Sequence, residues 1–172
     1  MAIFDFTNFE RQGNIKNDTQ LDSAQDFAQT IVENTDNTLR TIKIFTHDLE
    51  PEIYNNDEFR KSLLGFTRGN RHAKIQILAK DLTNALHNGH KLINLAQQLT
   101  SVVTIKDIPE EHHQINSSFI LFDQSRFIYK PDNNSHKAIS SNCKNRSDRL
   151  NEFFMLIWEH AEKNTQTHSL II

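Results

Sequence analysis

The chain is poor in cysteine, glycine and proline, and it contains no long hydrophobic run. Its single cysteine, Cys143, rules out an internal disulfide framework and is typical of a reducing compartment. Four glycines and three prolines in 172 residues exclude collagen-like and linker-like sequences. The longest apolar runs, such as FILF and FFMLIW, are much shorter than the roughly 20 residues that span a bilayer. We therefore expect a cytoplasmic protein without membrane insertion.

The remaining composition is that of one globular domain. Hydrophobic residues make up 37% of the chain and charged residues 24%, and the apolar residues recur with regular periods. A length of 172 residues suits a single core-bearing domain. Residues 1–20 are predicted to form an N-terminal arm, either mobile or packed on the domain through its phenylalanines. The domain is expected over 21–163 and a C-terminal tail over 164–172.

Helical and strand-like patterns alternate along the predicted domain. Helices are predicted where apolar residues recur every three or four positions, and strands where β-branched residues alternate. The predicted order is helix 22–37, a strand from 40 that ends near Thr46 or His47, helix 57–68, strand 73–80, helix 90–101, strand 102–108, a hairpin of 117–123 with 126–130, an irregular loop 131–145 and a last helix that begins at Ser147 or Asp148. This order predicts an α/β sandwich whose mixed sheet is flanked by helices.

The stretch NSSFILFDQSRFIYKPDN, residues 116–133, has the spacing Asn116-x-Ser118-x-x-x-x-Asp123. Together with the order of elements, it resembles one half of the phospholipase D superfamily, in which an α/β unit carries His-x-Lys-x4-Asp and then Gly-Ser-x-Asn. In this register the family's His falls at Asn116 and its Lys at Ser118. Asp123 is retained, Lys130 and Pro131 stand in place of Gly-Ser, and Asn133 falls on the Asn.

The resemblance implies a chemistry for these positions. In the family the His is the nucleophile on a phosphodiester, the Lys clamps the phosphate, the Asp orients groups, and two units meet about a twofold axis. Asn cannot act as that nucleophile, and Ser cannot supply a permanent positive charge. The resemblance therefore implies a catalytically inactive, homodimeric binding or regulatory module with no phosphodiesterase activity. Its ligand face would contain Asn116, Ser118, Asp123 and Asn133 and would take a phosphate-bearing ligand or form an interface.

A closer resemblance is to a small uncharacterised bacterial family of phospholipase-D-like domains. It rests on IFTHDLEPEIY, GHKLINLAQQLTS, SSFILFDQSRFIYKP and FFMLIWEHA. That family has no assigned activity, so this resemblance implies the fold and leaves the function open.

Polar residues at the ends of predicted elements are further candidates. His47 and Asp48 follow the first strand, where open α/β sheets form a ligand crevice, so we expect them beside Asp123. The alternative is that Asp48 satisfies local amides while His47 is merely exposed. His90 begins a predicted helix, where its ring and the first amides would contact an anion. The alternative there is an ordinary surface histidine.

Seven Lys or Arg residues lie between Arg60 and Lys91, against the single acid Asp81. This segment, with Arg68 and Arg71 at its centre, is a second candidate site, and it favours a nucleic-acid-binding domain as the alternative function. The expected phosphate-facing rim consists of Arg68, Arg71, Lys74, Lys80, His87, His90 and Lys91. The segment is equally compatible with a solvated charged face. Single-strand binding also uses aromatic side chains among the cations, and here only Phe66 is near and its pattern buries it.

No cofactor and no metal are expected. His87-x-x-His90 and His112-His113 lack the further convergent ligands that zinc needs, and Cys143 has no partner of a catalytic signature. A third hypothesis is an enzyme of another chemistry that uses His47 and Asp48. Met155 and Leu156 lie off the apolar stripe of the last helix, where they are candidates to cover a partner subunit.

Overall fold

Strands and helices alternate along the chain in this computed structural model, which describes Asp5, Phe6, Phe9 and residues 18–168. The other positions of the predicted arm and tail lie outside the described residues. The strands are β1 (Thr19–Leu21), β2 (Thr41–Thr46), β3 (Lys74–Ala79), β4 (Val103–Asp107), β5 (Ser118–Phe122), β6 (Arg126–Lys130), β7 (Ala138–Ser141) and β8 (Glu162–Lys163). The α-helices are α1 (Ala24–Asp36), α2 (Pro51–Tyr54), α3 (Asp57–Arg68), α4 (Thr83–His87), α5 (Lys91–Gln98), α6 (Lys144–His160) and α7 (Thr165–His168). A 3-10 turn spans Glu110–His112.

The strands form one mixed sheet in the order β1-β7-β6-β5-β2-β3-β4-β8. Its centre, β2 with β3 and β4, is parallel, and every other pairing is antiparallel. Because β5 runs against β2, the carboxyl end of β2 lies beside the amino end of β5. The predicted α/β sandwich with a mixed sheet and flanking helices is confirmed.

Alternation along the strands divides the core into two layers. Ile42, Ile44 and Ile77 point to the first face of the sheet, which helices α1 to α5 cover. Phe45 and its neighbours on the second face pack against α6. Phe9 of the arm has no exposed surface and adds to this second layer.

Three of the local differences from the sequence prediction have a clear structural reason. Residues 138–141 form β7 where an irregular loop was expected, because they pair with both β6 and β1. Helix α6 begins at Lys144, earlier than predicted, with Cys143 as its N-cap residue. Asn56 rather than Asp57 caps α3, because its Oδ1 accepts the Phe59 N–H at 2.8 Å. No helix in the described part of the chain combines the length and the apolar character that crossing a membrane requires.

Candidate functional site

An open cleft of about 550 Å³ lies where β2 ends, β5 begins and β6 ends. The loop after β2 forms one wall, and the residues that flank β5 and follow β6 form the other. The lining residues are mainly acids and amides: His47, Asp48, Glu50, Pro51, Glu52, Asn116, Asn133 and Asn134. Four of the residues predicted for a ligand face therefore line one cleft, namely His47, Asp48, Asn116 and Asn133.

A buried ion pair closes the floor of this region. Lys130 ends β6 directly opposite Ser118 of β5, and its side chain is only 1% exposed. Its ammonium donates to both carboxylate oxygens of Glu50, at 2.8 and 2.7 Å, and to the Asn133 carbonyl at 3.2 Å. An ammonium has three N–H donors, so this one is fully used. The Lys130 charge is thus neutralised by Glu50 inside the protein.

The loop that carries Glu50 is fixed by its own hydrogen bonds. Leu49 has a left-handed backbone angle, φ 57°, which is uncommon for a residue with a side chain. Its N–H donates to Thr46 Oγ1 at 3.1 Å, and its carbonyl accepts from His90 Nε2 at 2.9 Å. Pro51 then begins α2, where its fixed φ suits a first helical turn. Glu50 is therefore held on a braced turn.

His90 is a structural residue in this fold. Its side chain is 1% exposed, and Nδ1 accepts the Leu92 N–H at 3.1 Å as the N-cap of α5. Nε2 therefore carries the proton that is donated to Leu49. Burial lowers the pKa of the His90 imidazole, against the opposing effects of the Leu49 hydrogen bond and of Asp48. Both sequence expectations for His90, an anion contact and a surface histidine, are wrong, because both ring nitrogens are buried and engaged.

Asp123 lies at the other end of the sheet. Its carboxylate accepts the backbone N–H groups of Leu39 at 2.7 Å, Arg40 at 2.7 Å and Thr41 at 3.0 Å, just where β2 begins. Asp123 also has a left-handed φ of 55° in the β5–β6 turn. The expectation that Asp123 lies beside His47 and Asp48 is wrong, because the length of β5 separates the turn from the cleft.

The remaining residues of the motif lie at the cleft end. Asn116 is exposed, and its amide donates to Asp132 Oδ1 at 2.7 Å. Ser118 is 3% exposed, so it lies beneath the surface of the cleft. The Asn133 N–H donates to the Asn116 carbonyl at 2.9 Å, which joins the residue before β5 to the loop after β6 within one wall of the cleft.

Two oxygen atoms of the cleft lack a partner among the described residues. Asp48 Oδ1 and Asn133 Oδ1 are both buried, and neither accepts a hydrogen bond. Asp48 Oδ2 is 3.9 Å from His47 Nδ1, which is too long for a hydrogen bond, so the two do not form an acid–base dyad. Burial raises the pKa of Tyr54, and the charges of Glu50 and Asp48 raise it further, which indicates a negative potential around this loop.

The basic segment is divided between the two ends of the sheet. Arg68 and Arg71 are exposed at the amino end of β3, far from the cleft. Lys80 and Lys91 lie at the carboxyl end, where Lys80 donates to the His113 carbonyl and Lys91 lies 3.6 Å from Asp57. The predicted rim of five Lys or Arg residues and two histidines is wrong as one surface, because its members lie at opposite ends of β3 and His90 is buried. The described residues contain no group of three or more His, Cys, Asp or Glu that would hold a metal.

Sequence reasoning did not identify Glu50 and Lys130 as a pair. A signal was nevertheless present. In RFIYK the alternation that buries Ile128 also turns Lys130 inward, and a buried lysine requires an acceptor or an acid. The sequence LEPE, residues 49–52 in the loop after β2, places two acids at the end of the sheet where Lys130 lies.

Comparison with solved structures identifies the fold. TrmBL2, an archaeal chromatin protein with a novel mode of DNA binding, superposes with a TM-score of 0.62 at 14% identity over 88% of this chain and 56% of its own. Nuc from Salmonella typhimurium, a phospholipase D family member, gives 0.60 at 10% identity over 88% and 99%. Phosphatidylserine synthase from Haemophilus influenzae gives 0.60 at 13% identity over 96% and 44%. At these identities the likeness concerns the fold alone.

Sequence comparison identifies a family but finds no curated relative. No curated protein sequence matches. Residues 23–170 match a family described as a domain of unknown function, DUF7931. The chain therefore belongs to the DUF7931 family, and its fold is that of the phospholipase-D-like proteins.

Proposed function

We propose that this domain is a catalytically inactive phospholipase-D-like protein that acts as a binding or regulatory module through the cleft. One observation carries the proposal: the ammonium opposite Ser118, that of Lys130, is bound by both oxygens of Glu50. A cation so neutralised cannot stabilise charge on a transferring phosphoryl group. Asn116, at the position of the family's nucleophile, lacks the imidazole that would form a covalent intermediate.

The charges of the cleft argue for a cationic ligand group rather than the phosphate-bearing ligand that the resemblance implied. Asp48, Glu50 and Glu52 line the cleft, and Lys130 balances only one of them. A phosphate would meet uncompensated carboxylates there, whereas an ammonium or guanidinium group would be attracted.

Ligand class is tested by titration with simple probes at low salt. Arginine amide is expected to shift the NMR signals of Asp48, Asn116 and Asn133, and glycerol phosphate is not. Glu52→Gln should lower the affinity for arginine amide by about fivefold, which is the effect of losing roughly 1 kcal/mol of ion-pair energy. Glu152→Gln, which removes an exposed acid of α6, is the matched control and should change nothing. Equal or tighter binding of glycerol phosphate in the cleft would reverse the proposed ligand class.

Catalytic inactivity is tested separately with bis(p-nitrophenyl) phosphate. No hydrolysis above the buffer rate is expected. Turnover that disappears in His47→Ala or Asn116→Ala would contradict the proposal, because it would place an active nucleophile in the cleft.

A homodimer remains part of the proposal. Leu156 of α6 is 39% exposed, and Met155 beside it is only partly buried, so this side of α6 offers apolar surface to a second copy. A mass of about 40 kDa by light scattering, twice the 20.0 kDa of the chain, is expected. Leu156→Glu should then give the monomer mass, and a monomeric parent protein would remove the dimer from the proposal.

Nucleic-acid binding is the second candidate function. Arg68, Arg71 and Lys74 are exposed together at the amino end of β3, so part of the basic segment does form one positive surface. The DNA-binding chromatin protein among the structural neighbours is in keeping with this candidate. Salt-sensitive binding of an oligonucleotide that Arg68→Ala with Arg71→Ala abolishes would support it, and no binding at low salt would exclude it.

A further inference from the structure

The thiol of Cys143 lies at the amino end of α6, the longest helix in the described part of the chain. Cys143 is the N-cap residue of this helix, whose 17 residues direct the positive end of the helix dipole toward it. Its side chain is partly exposed and packs at the edge of the second core layer. Sγ faces the first N–H groups of the helix but forms no capping hydrogen bond with them. The sulfur is therefore accessible and lies in a positive field.

A buried guanidinium adjoins this thiol. Arg146, three residues after Cys143, is 2% exposed, and its Nη2 donates to Asp18 Oδ1 at 2.6 Å and to Ser141 Oγ at 3.0 Å. The N–H groups on Nε and Nη1 have no acceptor among the described residues. A guanidinium has five N–H donors on three nitrogens, and here two of those nitrogens are unused. The ion pair with Asp18 thus leaves donors available beside the thiol.

The arrangement of the thiol and the guanidinium is fixed by residues from other elements. The Oγ of Ser141, at the end of β7, accepts both the Cys143 N–H at 3.2 Å and the Nη2 of Arg146. The ring centroids of Phe9 and Phe127 lie 5.9 and 5.2 Å from the Arg146 Cζ. One hydroxyl and two rings therefore hold the guanidinium next to Cys143.

The charges around the thiol favour its ionised form. Burial raises the pKa of the Cys143 thiol, but the backbone N–H groups of the first turn and the Arg146 guanidinium outweigh burial and bring that pKa below its ordinary value. Burial likewise lowers the pKa of Arg146, whereas Asp18 and Cys143 raise it overall, so the cation persists. Lys144, next in sequence, forms an ion pair with Asp148 at the surface. The thiolate is the nucleophilic form of cysteine, and this environment stabilises it.

We propose that Cys143 is a site of reversible oxidation by hydroperoxides, at which Arg146 binds the oxygen that is added. The thiolate Sγ attacks the terminal peroxide oxygen, so that an S–O bond forms while the O–O bond breaks. The sulfur is oxidised by two electrons, and the peroxide is reduced. The departing alkoxide, or hydroxide from hydrogen peroxide, takes the proton of the new S–OH group and leaves as an alcohol or as water. The sulfenate oxygen then accepts the N–H groups on Nε and Nη1 of Arg146.

Reduction requires a thiol from outside this chain, because the sequence contains no second cysteine that could form an internal disulfide. A low-molecular-weight thiol attacks the sulfenic acid, which gives a mixed disulfide and water. A second molecule of the same thiol then restores the Cys143 thiol and is released with the first as their disulfide. This proposal goes beyond the binding function of the cleft and does not depend on it.

Oxidation is tested on the whole chain with hydrogen peroxide. In the presence of dimedone, which labels sulfenic acids, mass spectrometry should show one adduct at Cys143 and none in Cys143→Ser. The loss of free thiol at pH 6.5 should be about fivefold faster in the folded protein than in the same chain unfolded in urea. This difference is expected because the fold raises the thiolate fraction, whereas the unfolded chain carries an ordinary thiol.

The role of Arg146 is tested by two substitutions of neighbouring cations. Arg146→Lys keeps a cation for Asp18 but removes the donors on Nε and Nη1, and it should slow the loss of free thiol about fivefold. It should also move the pH profile of iodoacetamide alkylation to higher pH. Lys144→Ala removes an exposed cation beside the same thiol and is the matched control, with an expected change of less than twofold. If Arg146→Lys does not fold, the comparison of the folded and unfolded parent protein decides alone.

Three outcomes would overturn the proposal. Equal or slower oxidation of the folded protein would show that the fold does not activate the thiol. The absence of a dimedone adduct at Cys143 would show that no sulfenic acid forms. A folded Arg146→Lys variant with the parent rate and pH profile would remove Arg146 from the site. None of these measurements involves the cleft, so binding of arginine amide stands or falls separately.

Discussion

The two ends of β5 both carry residues of the motif, yet they differ in what those residues do. At the turn end the Asp123 carboxylate accepts three backbone N–H groups and fixes the start of β2. At the cleft end Ser118 is buried opposite Lys130, and Asn116 lies at the surface of an open cleft. One end is part of the architecture, and the other is the candidate site.

The length of β5 explains why the residues of the motif lie at two separate ends of the sheet. Five strand residues at about 3.4 Å each separate the two ends by roughly 17 Å, which no side chain spans. A spacing of four residues between Ser118 and Asp123 therefore means opposite ends when the intervening residues form a strand. A match to the spacing of a motif does not imply that the matching residues meet at one site.

Both ends also hold a carboxylate, but with different partners. Asp123 is matched by neutral amides, whereas Glu50 is matched by the ammonium of a buried lysine. Removal of either carboxylate should therefore destabilise the protein for a different reason. The predictions below test that difference, from the largest expected effect to the smallest.

Glu50→Gln should have the largest effect on stability. It leaves the Lys130 ammonium buried without a counter-charge, and a broken buried ion pair typically costs about 3–5 kcal/mol. Urea unfolding of the purified variant measures the loss. Lys130→Met is the matched control and should cost clearly less, because the carboxylate that it leaves unpaired, that of Glu50, is 19% exposed at the cleft and still reaches water. If Glu50→Gln and Lys130→Met were equally destabilising, the pair would not act as described.

Asp123→Ala should cost about 3 kcal/mol, because three backbone N–H groups lose a charged acceptor. Asp123→Asn keeps one acceptor oxygen and suits the left-handed φ of this residue, so about half of that loss is expected. Urea unfolding again provides the measurement.

Ligand binding is the measurement that distinguishes the turn end of β5 from the cleft end. Folded Asp123→Asn should bind arginine amide as the parent protein does, because the cleft is remote. Gln124→Ala, at the neighbouring exposed turn position, is the control for the turn itself and should have little effect on stability. Weaker ligand binding in Asp123→Asn would show that the two ends are coupled.

Much of this fold was predictable because its signals are local. The periodicity of Phe27 and Ile31 in α1, and the β-branched alternation of β2, specify elements whatever their neighbours are. β7 was not predictable in this way, since Ala138–Ser141 has little strand propensity and becomes a strand only by pairing on both sides. Its formation depends on contacts that are remote in sequence.

The candidate site was predictable only in part for the same reason. His47 and Asp48 follow a strand that was correctly placed, so their position at the sheet edge was expected. The partnership of Glu50 with Lys130 joins residues 80 positions apart. The separation of Asp123 from the cleft depends on β5 running antiparallel to β2, and a mixed sheet leaves strand direction open until the pairings are known.

His90→Asn should have the smallest effect on stability and a distinctive dependence on pH. Asn still caps α5, but the hydrogen bond to the Leu49 carbonyl is lost, so about 1 kcal/mol is expected at pH 7. In the parent protein the pKa of His90 is lowered by burial, so the unfolded chain binds the proton more readily than the folded one. The contribution of His90 to stability is then complete above its unfolded pKa of about 6.5 and declines as the pH falls toward the folded pKa.

Burial of the imidazole is the main cause of this decline, and the cap of α5 adds a local one. A protonated imidazole has a proton on both nitrogens, so Nδ1 can no longer accept the Leu92 N–H. Urea unfolding between pH 7.5 and pH 5 should therefore show a steeper loss of stability in the parent protein than in His90→Asn. His72→Asn, which alters an exposed histidine at the amino end of β3, should retain the parent slope.

Because His90 also holds Leu49 beside Glu50, arginine amide should bind more weakly to the parent protein at pH 5, whereas the Asp123 end should be unaffected. Identical pH slopes in the parent and in His90→Asn would show that His90 does not link protonation to the cleft end of the sheet.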